Sequence, residues 1–552
     1  MQKILCIEGN IVNVEEKKIF KGKINVEGNK IASIVTGEPV ASIDQGPFIL
    51  PGFIDAHTHV DDSLLAPYEF SRGSVRGGTI AAVADPHEIA NVMGMKGIDY
   101  MIKESKLTPY KFFYGAPPCV PPSDFEMAGA ELGPKELKEL MARPDIYHMT
   151  EFMDFYGVIN NVPKTLEKIQ IAKESGKPID GHSPLLTKED LDKYISAGIS
   201  TDHECSTMEE AREKVEKGMN IIIREGSAAN DLKNIYQIID EAPDKVMFCT
   251  DEWHPNDMLY KGHVDHIVRM ALSLGCDVFN VLRAASINPI KHYKLPVGHL
   301  RTGDPADFIV VDSLKDIKVL QTYIGGQLVY DNQNVLLPPL TPEIVNNFQL
   351  TEPLTTDDLA IYADSKFINV IEVCDQNLFT KKIVTNITVS ATNQIISNPS
   401  EDILKLVAIN RYQKEKPICG FVKGFGLQSG ALAYSICHDS HNLICVGTND
   451  EDMVKAINMV IKNKGGGVIS EHGKTVSLPL PIAGLMSDGE LSEVGKQYEN
   501  LQETARRMGS KLKNPFGTLS FIGVTSIPEI RITVKGIFDV NANKLINIFV
   551  DK

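Results

Sequence analysis

The middle of this chain, residues 49–295, is an alternation of short apolar runs with longer amphipathic ones. Eight strand-like runs stand out: ILPGFIDAHTH, TIAAVAD, KFFYGA, IYHMTEFM, KPIDGH, GISTDH, MNIIIRE and KVMFCTD. Helix-like segments such as KEDLDKYISAG and SAANDLKNIYQIIDEA lie between most of them. A strand followed by a helix returns to the same sheet edge in parallel, because a parallel pair needs a crossover of a dozen or more residues. Eight such units over about 250 residues predict an α/β fold of the (β/α)8 barrel type, with its reactive groups at the C-terminal ends of the strands.

The flanks read differently. Residues 1–48 are short strands and turns, with INVEGNKIASIV alternating around Gly28-Asn29 as a hairpin does. Strand-rich sequence returns at 296–335, in ADFIVVD and LVYDNQNVL. These two stretches predict a small β-sandwich built from both sides of the barrel. From 340 to 552 the chain reads as a C-terminal α/β domain. AYSICHDSHNLICVGTND suggests strand, turn and strand, EDMVKAINMVIKNKGGG a helix with a glycine stop, and the stretch from PLPIAGLMSD onward a loop entering a long amphipathic helix.

Composition removes some partners. Against 56 Lys and Arg stand 72 Asp and Glu, a formal charge of -16, which argues against nucleic-acid phosphates or an anionic membrane as partner. No apolar run approaches the roughly 18–20 residues of a spanning helix. The start, MQKILCIEGNIVNVEEKK, lacks the pattern of a signal peptide. Nine cysteines without a CxxC pair suggest reduced thiols and a cytoplasmic setting.

The ionisable residues fall where barrel chemistry needs them. The first run ends His57-Thr58-His59, and residues two apart on a strand share a face. The second ends Asp85-Pro86-His87-Glu88. Glu151 lies in the fourth run, while His182, Asp202-His203, Arg224-Glu225 and Asp251 end the fifth to eighth. One histidine at a strand end is most often a rim residue. Four histidines and two carboxylates at successive ends suit two divalent metals with a carboxylate and water between them.

Other polar residues carry alternatives. Asp85-Pro86-His87-Glu88 reads equally as a miniature capping box or as catalytic. Glu225-Gly226-Ser227 suits a turn with a capping serine, and Arg224 a structural ion pair. Asp61-Asp62-Ser63 suits a helix cap, with Asp61 equally able to meet metal or substrate. His263 and His266 read as rim or helix packing, and His254 lies beside them. His438-Asp439-Ser440-His441 resembles a metal cluster but, outside the barrel, reads as a polar turn.

PGFIDAHTHVDDSLLAPYEF, ADPHEIANVMG, IDGHSPLLTKEDLDKYISAGISTDHECST, GMNIIIREGSAA and TDEWHPNDML, with HDSHNLICVGTNDEDM, LPLPIAGLMSD and PFGTLSF, resemble the amidohydrolase superfamily of metal-dependent barrels. Within it they resemble the bacterial-type adenine deaminases, over almost the whole chain. The resemblance implies a metal centre of His57, His59, Glu151, His182, His203 and Asp251, with Glu151 as the bridging group. It implies a binuclear Mn2+ or Fe2+ centre, with Zn2+ as an alternative, and a homo-oligomer. It further implies deamination of adenine to hypoxanthine and ammonia through attack of metal-activated hydroxide at C6.

In that reaction Asp251 serves as ligand and proton shuttle, Glu88 or Glu225 as the acid at the ring nitrogen, and His203 and His87 as polarising groups. Two positions depart from the family pattern: Asp61-Asp62-Ser63 replaces Glu-Ser-Ser, and Trp253 stands where a basic residue is expected. An indole there is positioned to stack on a purine or to narrow the pocket against one. The competing readings are a hydrolase of another purine-like ring or cyclic amide, and a non-catalytic metal-stabilised paralogue.

Overall fold

The computed structural model describes residues 5–44 and 46–550. Each of the eight apolar runs forms a strand: β1 (Phe53–Thr58), β2 (Thr79–Ala84), β3 (Lys111–Tyr114), β4 (Met149–Phe152), β5 (Ile179–Gly181), β6 (Thr201–Asp202), β7 (Asn220–Arg224) and β8 (Val246–Cys249). All pair in parallel, β2 between β1 and β3, β4 with β5, and β7 between β6 and β8. Backbone hydrogen bonds join the groups. Ala116 bridges to Met149, the Ser200 amide donates to Ile179 O, and the Asp251 amide donates to His57 O at 3.1 Å. The barrel is therefore closed, which leaves no edge to protect.

Strands from both flanks join in one eight-stranded sheet. Phe308–Val311 pairs antiparallel with Phe48–Pro51, which lies parallel beside Leu5–Asn13. The hairpin forms between Lys18–Glu27 and Lys30–Pro39, with Gly28 at φ 62, a backbone that glycine adopts without steric cost. Phe48–Pro51 enters β1 through Gly52, where a Cβ would lie 2.6 Å from the Ile80 side chain. Only glycine lets sheet and barrel meet so closely.

One barrel connection departs from its pattern. SAANDLKNIYQIIDEA holds two short helices, Leu232–Ile235 and Ile238–Glu241, rather than one long one. Its first residues are tied to the barrel mouth: the Asp231 amide donates to Arg224 O, and the Asp231 carboxylate accepts from Arg224 Nε at 3.2 Å.

The C-terminal part is built on a second eight-stranded sheet running from Phe367 to Pro479. Helix Asp450–Asn463 packs on it through Met453, Ile457 and Val460, which meet Val407, Cys445 and Val468. Asn449 caps the helix by accepting from the Asp452 amide at 2.8 Å. Helix Leu491–Arg507 lies against the barrel helix Pro255–Tyr260. A single apolar cluster runs from barrel residues such as Ile54 and Met258 to Tyr498, Leu501 and Phe516. Between Ala431–Tyr434 and Leu443–Gly447, residues 435–442 cross to the C-terminal face of the barrel. Among the described residues, no helix is long and apolar enough to cross a membrane.

Candidate metal centre

Glu151 on β4 is buried at the centre of the barrel mouth, and its two oxygens face different histidines. Oε1 lies 3.4 Å from His59 Nε2 and 3.9 Å from His57 Nε2. Oε2 lies 2.7 Å from His182 Nδ1 and 3.4 Å from His203 Nε2. Asp251 closes the first group, with Oδ1 at 3.1 Å from Nε2 of both His57 and His59. The four histidines and two carboxylates of strands β1, β4, β5, β6 and β8 thus meet at one point.

Local structure explains the placement. His57 and His59 point the same way because they sit two apart at the end of β1. Asp251 follows β8 with φ 58, a left-handed backbone that costs an ordinary residue about 1–2 kcal/mol. The closing hydrogen bonds hold it there: Asp251 O accepts from the His59 amide and from Thr58 Oγ1. Arg224 Nη1 donates to Asp251 Oδ2 at 3.0 Å and also grips Glu204, so the expected structural ion pair of Arg224 is at the site itself. With Oδ2 held, Oδ1 is the oxygen left facing the histidines.

The donor set fits divalent cations. His57 Nε2 and Asp251 Oδ1 are buried without a hydrogen-bond partner, an arrangement that costs free energy unless another group meets them. Imidazole nitrogens with carboxylate oxygens suit manganese, iron or zinc. Electrostatics agree: burial works to raise the Asp251 carboxyl, but His203, His57 and His59 hold it well below the usual carboxylate range. Burial likewise opposes the Glu151 charge, and the hydrogen bond from His182 with the neighbouring imidazoles holds its carboxyl low. Burial would lower His203, yet Asp251 and Glu151 push it up to about 10.

Around this cluster the remaining expectations divide. His87 joins it, with Nδ1 at 3.1 Å from Asp85 Oδ2 and 3.5 Å from Glu151 Oε1. The capping box does not form. Asp85 accepts from the His87 amide at 2.9 Å, but Glu88 turns into the cavity instead of back to the helix start. Glu225 is not on the cavity wall. Its amide donates to Cys249 O, and its carboxyl lies beside Asp231, raised to about 7 by burial. Asp61 caps the helix His87–Met93, not the one that follows it, by accepting from the Ile89 amide at 2.8 Å.

Trp253 does not reach the cavity. It is buried beside His266, and its Nε1 donates to Gly262 O at 2.9 Å. His263 packs below the mouth against Asp55, at 3.3 Å, and Thr79, while His254 meets Asn514 on the C-terminal side.

The largest correction concerns His438 and His441. The polar-turn reading fails because the loop 435–442 enters the barrel mouth. His438 Nδ1 donates to Glu88 Oε1 at 2.8 Å, and His441 Nε2 to Glu88 Oε2. Phe521 stacks on His438 with ring centroids 4.4 Å apart. Burial alone would raise the Glu88 carboxyl; His441, His438 and His87 hold it well below its usual range. Glu204 and Glu252 also line the cavity. Their signal in the sequence is adjacency to His203 and Asp251, which marks a strand end but not which neighbour turns inward.

Two family models match the chain: the amidohydrolase family over residues 48–329 and the adenine deaminase C-terminal domain over residues 377–544. An adenine deaminase of Methanosarcina mazei is 44% identical over 558 residues, covering 99% of each chain. One from Parabacteroides distasonis is 44% identical over 549 residues, again covering 99% of each. Among solved structures, a β-aspartyl dipeptidase from Fervidobacterium islandicum is similar at TM-score 0.46 and 17% identity, over 60% of this chain and 98% of that one. A barrel matched by the one model and a tail matched by the other, with relatives spanning both, leave one assignment: the chain belongs to the adenine deaminase family of the amidohydrolases.

Proposed function

We propose that this chain hydrolyses adenine to hypoxanthine and ammonia. Relatives named adenine deaminase align with nearly all of it. The observation that carries the chemistry is the Glu151 carboxylate set between two histidine pairs, with Asp251 facing one of them. Two divalent cations held by His57, His59, Glu151, His182, His203 and Asp251 would supply Lewis acidity and lower the pKa of water from 15.7 towards about 7.

Everything else falls to the chain's own groups. Water adds at C6 and the C6–N6 bond breaks. Asp251 takes the proton of that water and passes it to the departing amine. Glu88, kept ionised between His438 and His441, relays a proton from His438 to the ring nitrogen as C6 becomes tetrahedral, and the C6 hydroxyl proton returns to this pair as the carbonyl forms. His87, fixed by Asp85, faces the same space and polarises the ring. Glu225, off the cavity wall, has no part in these steps.

The test supplies Mn2+-loaded protein with adenine and follows loss of adenine absorbance with release of ammonia. Turnover is expected. Hydrolysis of a hydantoin or dihydropyrimidine without adenine turnover would overturn the reading. The same reading divides the chain into a barrel over 49–295, of which residues 49–51 belong structurally to the flanking sheet, a β unit from 1–48 with 296–335, and a C-terminal domain over 340–552. Limited proteolysis that cuts first between 336 and 366 supports the last boundary.

A further inference from the structure

The metal ligands account for one side of the cavity, and the other side belongs to the C-terminal part. Leu378, Phe521, Val524 and Ile527 give it an apolar wall. Three polar side chains interrupt that wall: His438, which is spent on Glu88, and Asp439 and Ser526. Asp439 is 5% exposed, and its Oδ2 has no hydrogen-bond partner; Ser526 Oγ is likewise buried and unpartnered. A buried carboxylate oxygen left without a donor is costly, so its place on a cavity wall points to a donor brought by the ligand.

Adenine has few donors. Its amino group leaves in the reaction and must lie at the metal ligands. The remaining donor is the single N–H of the five-membered ring, at N9 or N7 according to tautomer. We propose that Asp439 is the specificity residue for the free base: its carboxylate accepts that ring N–H, while Val524 and Ile527 cover the ring. A nucleoside has a sugar carbon in place of this hydrogen and would set it against an unpaired buried carboxylate. Sites built to pair a substrate N–H reject the analogue lacking it far more strongly than apolar pockets reject a missing methyl. The C-terminal part thereby selects the substrate that the barrel converts. This inference rests on the adenine reading above.

Its test uses the full-length Mn2+-loaded protein and three competitors of adenine turnover: purine, 7-methylpurine and 9-methylpurine. Purine carries the ring N–H, and each methylated form replaces it. In the wild type, purine is expected to inhibit at least about tenfold better than either methylated form, the size of a charge-assisted hydrogen bond. In Asp439→Ala and Asp439→Asn the preference should fall to about threefold or less, with metal content unchanged. Equal inhibition by all three compounds in the wild type overturns the proposal without any variant. An undiminished preference in a folded Asp439 variant overturns it too. Adenine turnover accompanying either result leaves the deaminase reading standing; absence of turnover removes that reading and this inference with it.

Discussion

The two sides of the cavity are built on different physical terms. On the barrel side, each of the four histidines and two carboxylates sits at or just past the end of a parallel strand, and strand closure sets its direction. The Asp251 amide and carbonyl that close β8 onto β1 also aim its carboxylate. On the C-terminal side, a loop supplies the groups, and its position depends on the docking of a whole domain. His438 and His441 lie about 350 residues from Glu88, at separations of 350 and 353. One side is preorganised by local geometry, the other by tertiary packing. Loss of a barrel residue should therefore remove chemistry, whereas loss of a C-terminal residue should weaken positioning and selection.

The strongest break of that contrast would come from Asp251→Ala. Loss of ligand and shuttle together is expected to lower kcat by at least about 10^3-fold with circular dichroism unchanged; a variant near wild-type rate would remove Asp251 from the proton path. Chelation should abolish turnover to the same degree, and Mn2+ should restore it in the wild type alone.

Glu88→Gln tests the point where the two sides meet. It keeps the shape and removes the carboxylate that relays the proton, so kcat should fall by roughly 10^2-fold with KM little changed. His441→Gln, which only loosens Glu88, should cost less, on the order of tenfold, and alter the pH profile of kcat more than metal content. Equal losses in the two variants would mean that His441 acts on substrate and not through Glu88.

A third prediction concerns the wall behind His203. Lys214 is fully buried and donates to Asp202 Oδ2 at 2.9 Å, and to Glu210 and Ser183 O at 2.7 Å. Lys214→Met leaves Asp202 and Glu210 buried without their shared cation, which costs about 3–5 kcal/mol. A lowered urea midpoint should accompany it, together with weaker metal retention if the pair also steadies His203. An unchanged midpoint would show that the buried pair is energetically neutral.

The smallest effect is a pH dependence at Glu225. Its carboxyl is raised from 4.5 to about 7 in the folded chain, first by burial and then by Asp231. The folded state then binds a proton that the unfolded chain has released. The contribution of Glu225 to stability is full below about pH 4.5 and is lost as pH rises towards 7. Glu225→Gln should flatten that part of the stability curve, read as the urea midpoint between pH 4.5 and 8. A difference between the two proteins that stays constant over this range would contradict the assignment.

Much of the barrel side is legible in the order of residues. The alternation of apolar run and amphipathic segment marks all eight strands, and the titratable residues in or closing those runs include the four histidines and two carboxylates that meet at the mouth. Legibility ends where a side chain has a choice of partner. Asp85-Pro86-His87-Glu88 has the spacing of a capping box, yet Glu88 gains two imidazole donors by turning the other way. Trp253 looks exposed to the pocket by its place after β8, but the Gly262 carbonyl satisfies its N–H inside the wall. Glu225 ends a strand like its neighbours and still misses the cavity, because Arg224 is the residue that faces Asp251.

What the amino-acid order determined by itself is the barrel and the ring of histidines and carboxylates at its mouth. Strand periodicity is local, and a residue at a strand end keeps its direction whatever surrounds it. What only the tertiary structure decided is the far side of the cavity: His438 and His441 on Glu88, and Asp439 on the cavity wall with Oδ2 unpartnered. Those contacts join residues hundreds of positions apart, and no local spacing encodes them. They exist because one continuous apolar cluster holds the C-terminal sheet and helices against the barrel. Burial then leaves each polar group at that junction with few partners other than one another and the ligand.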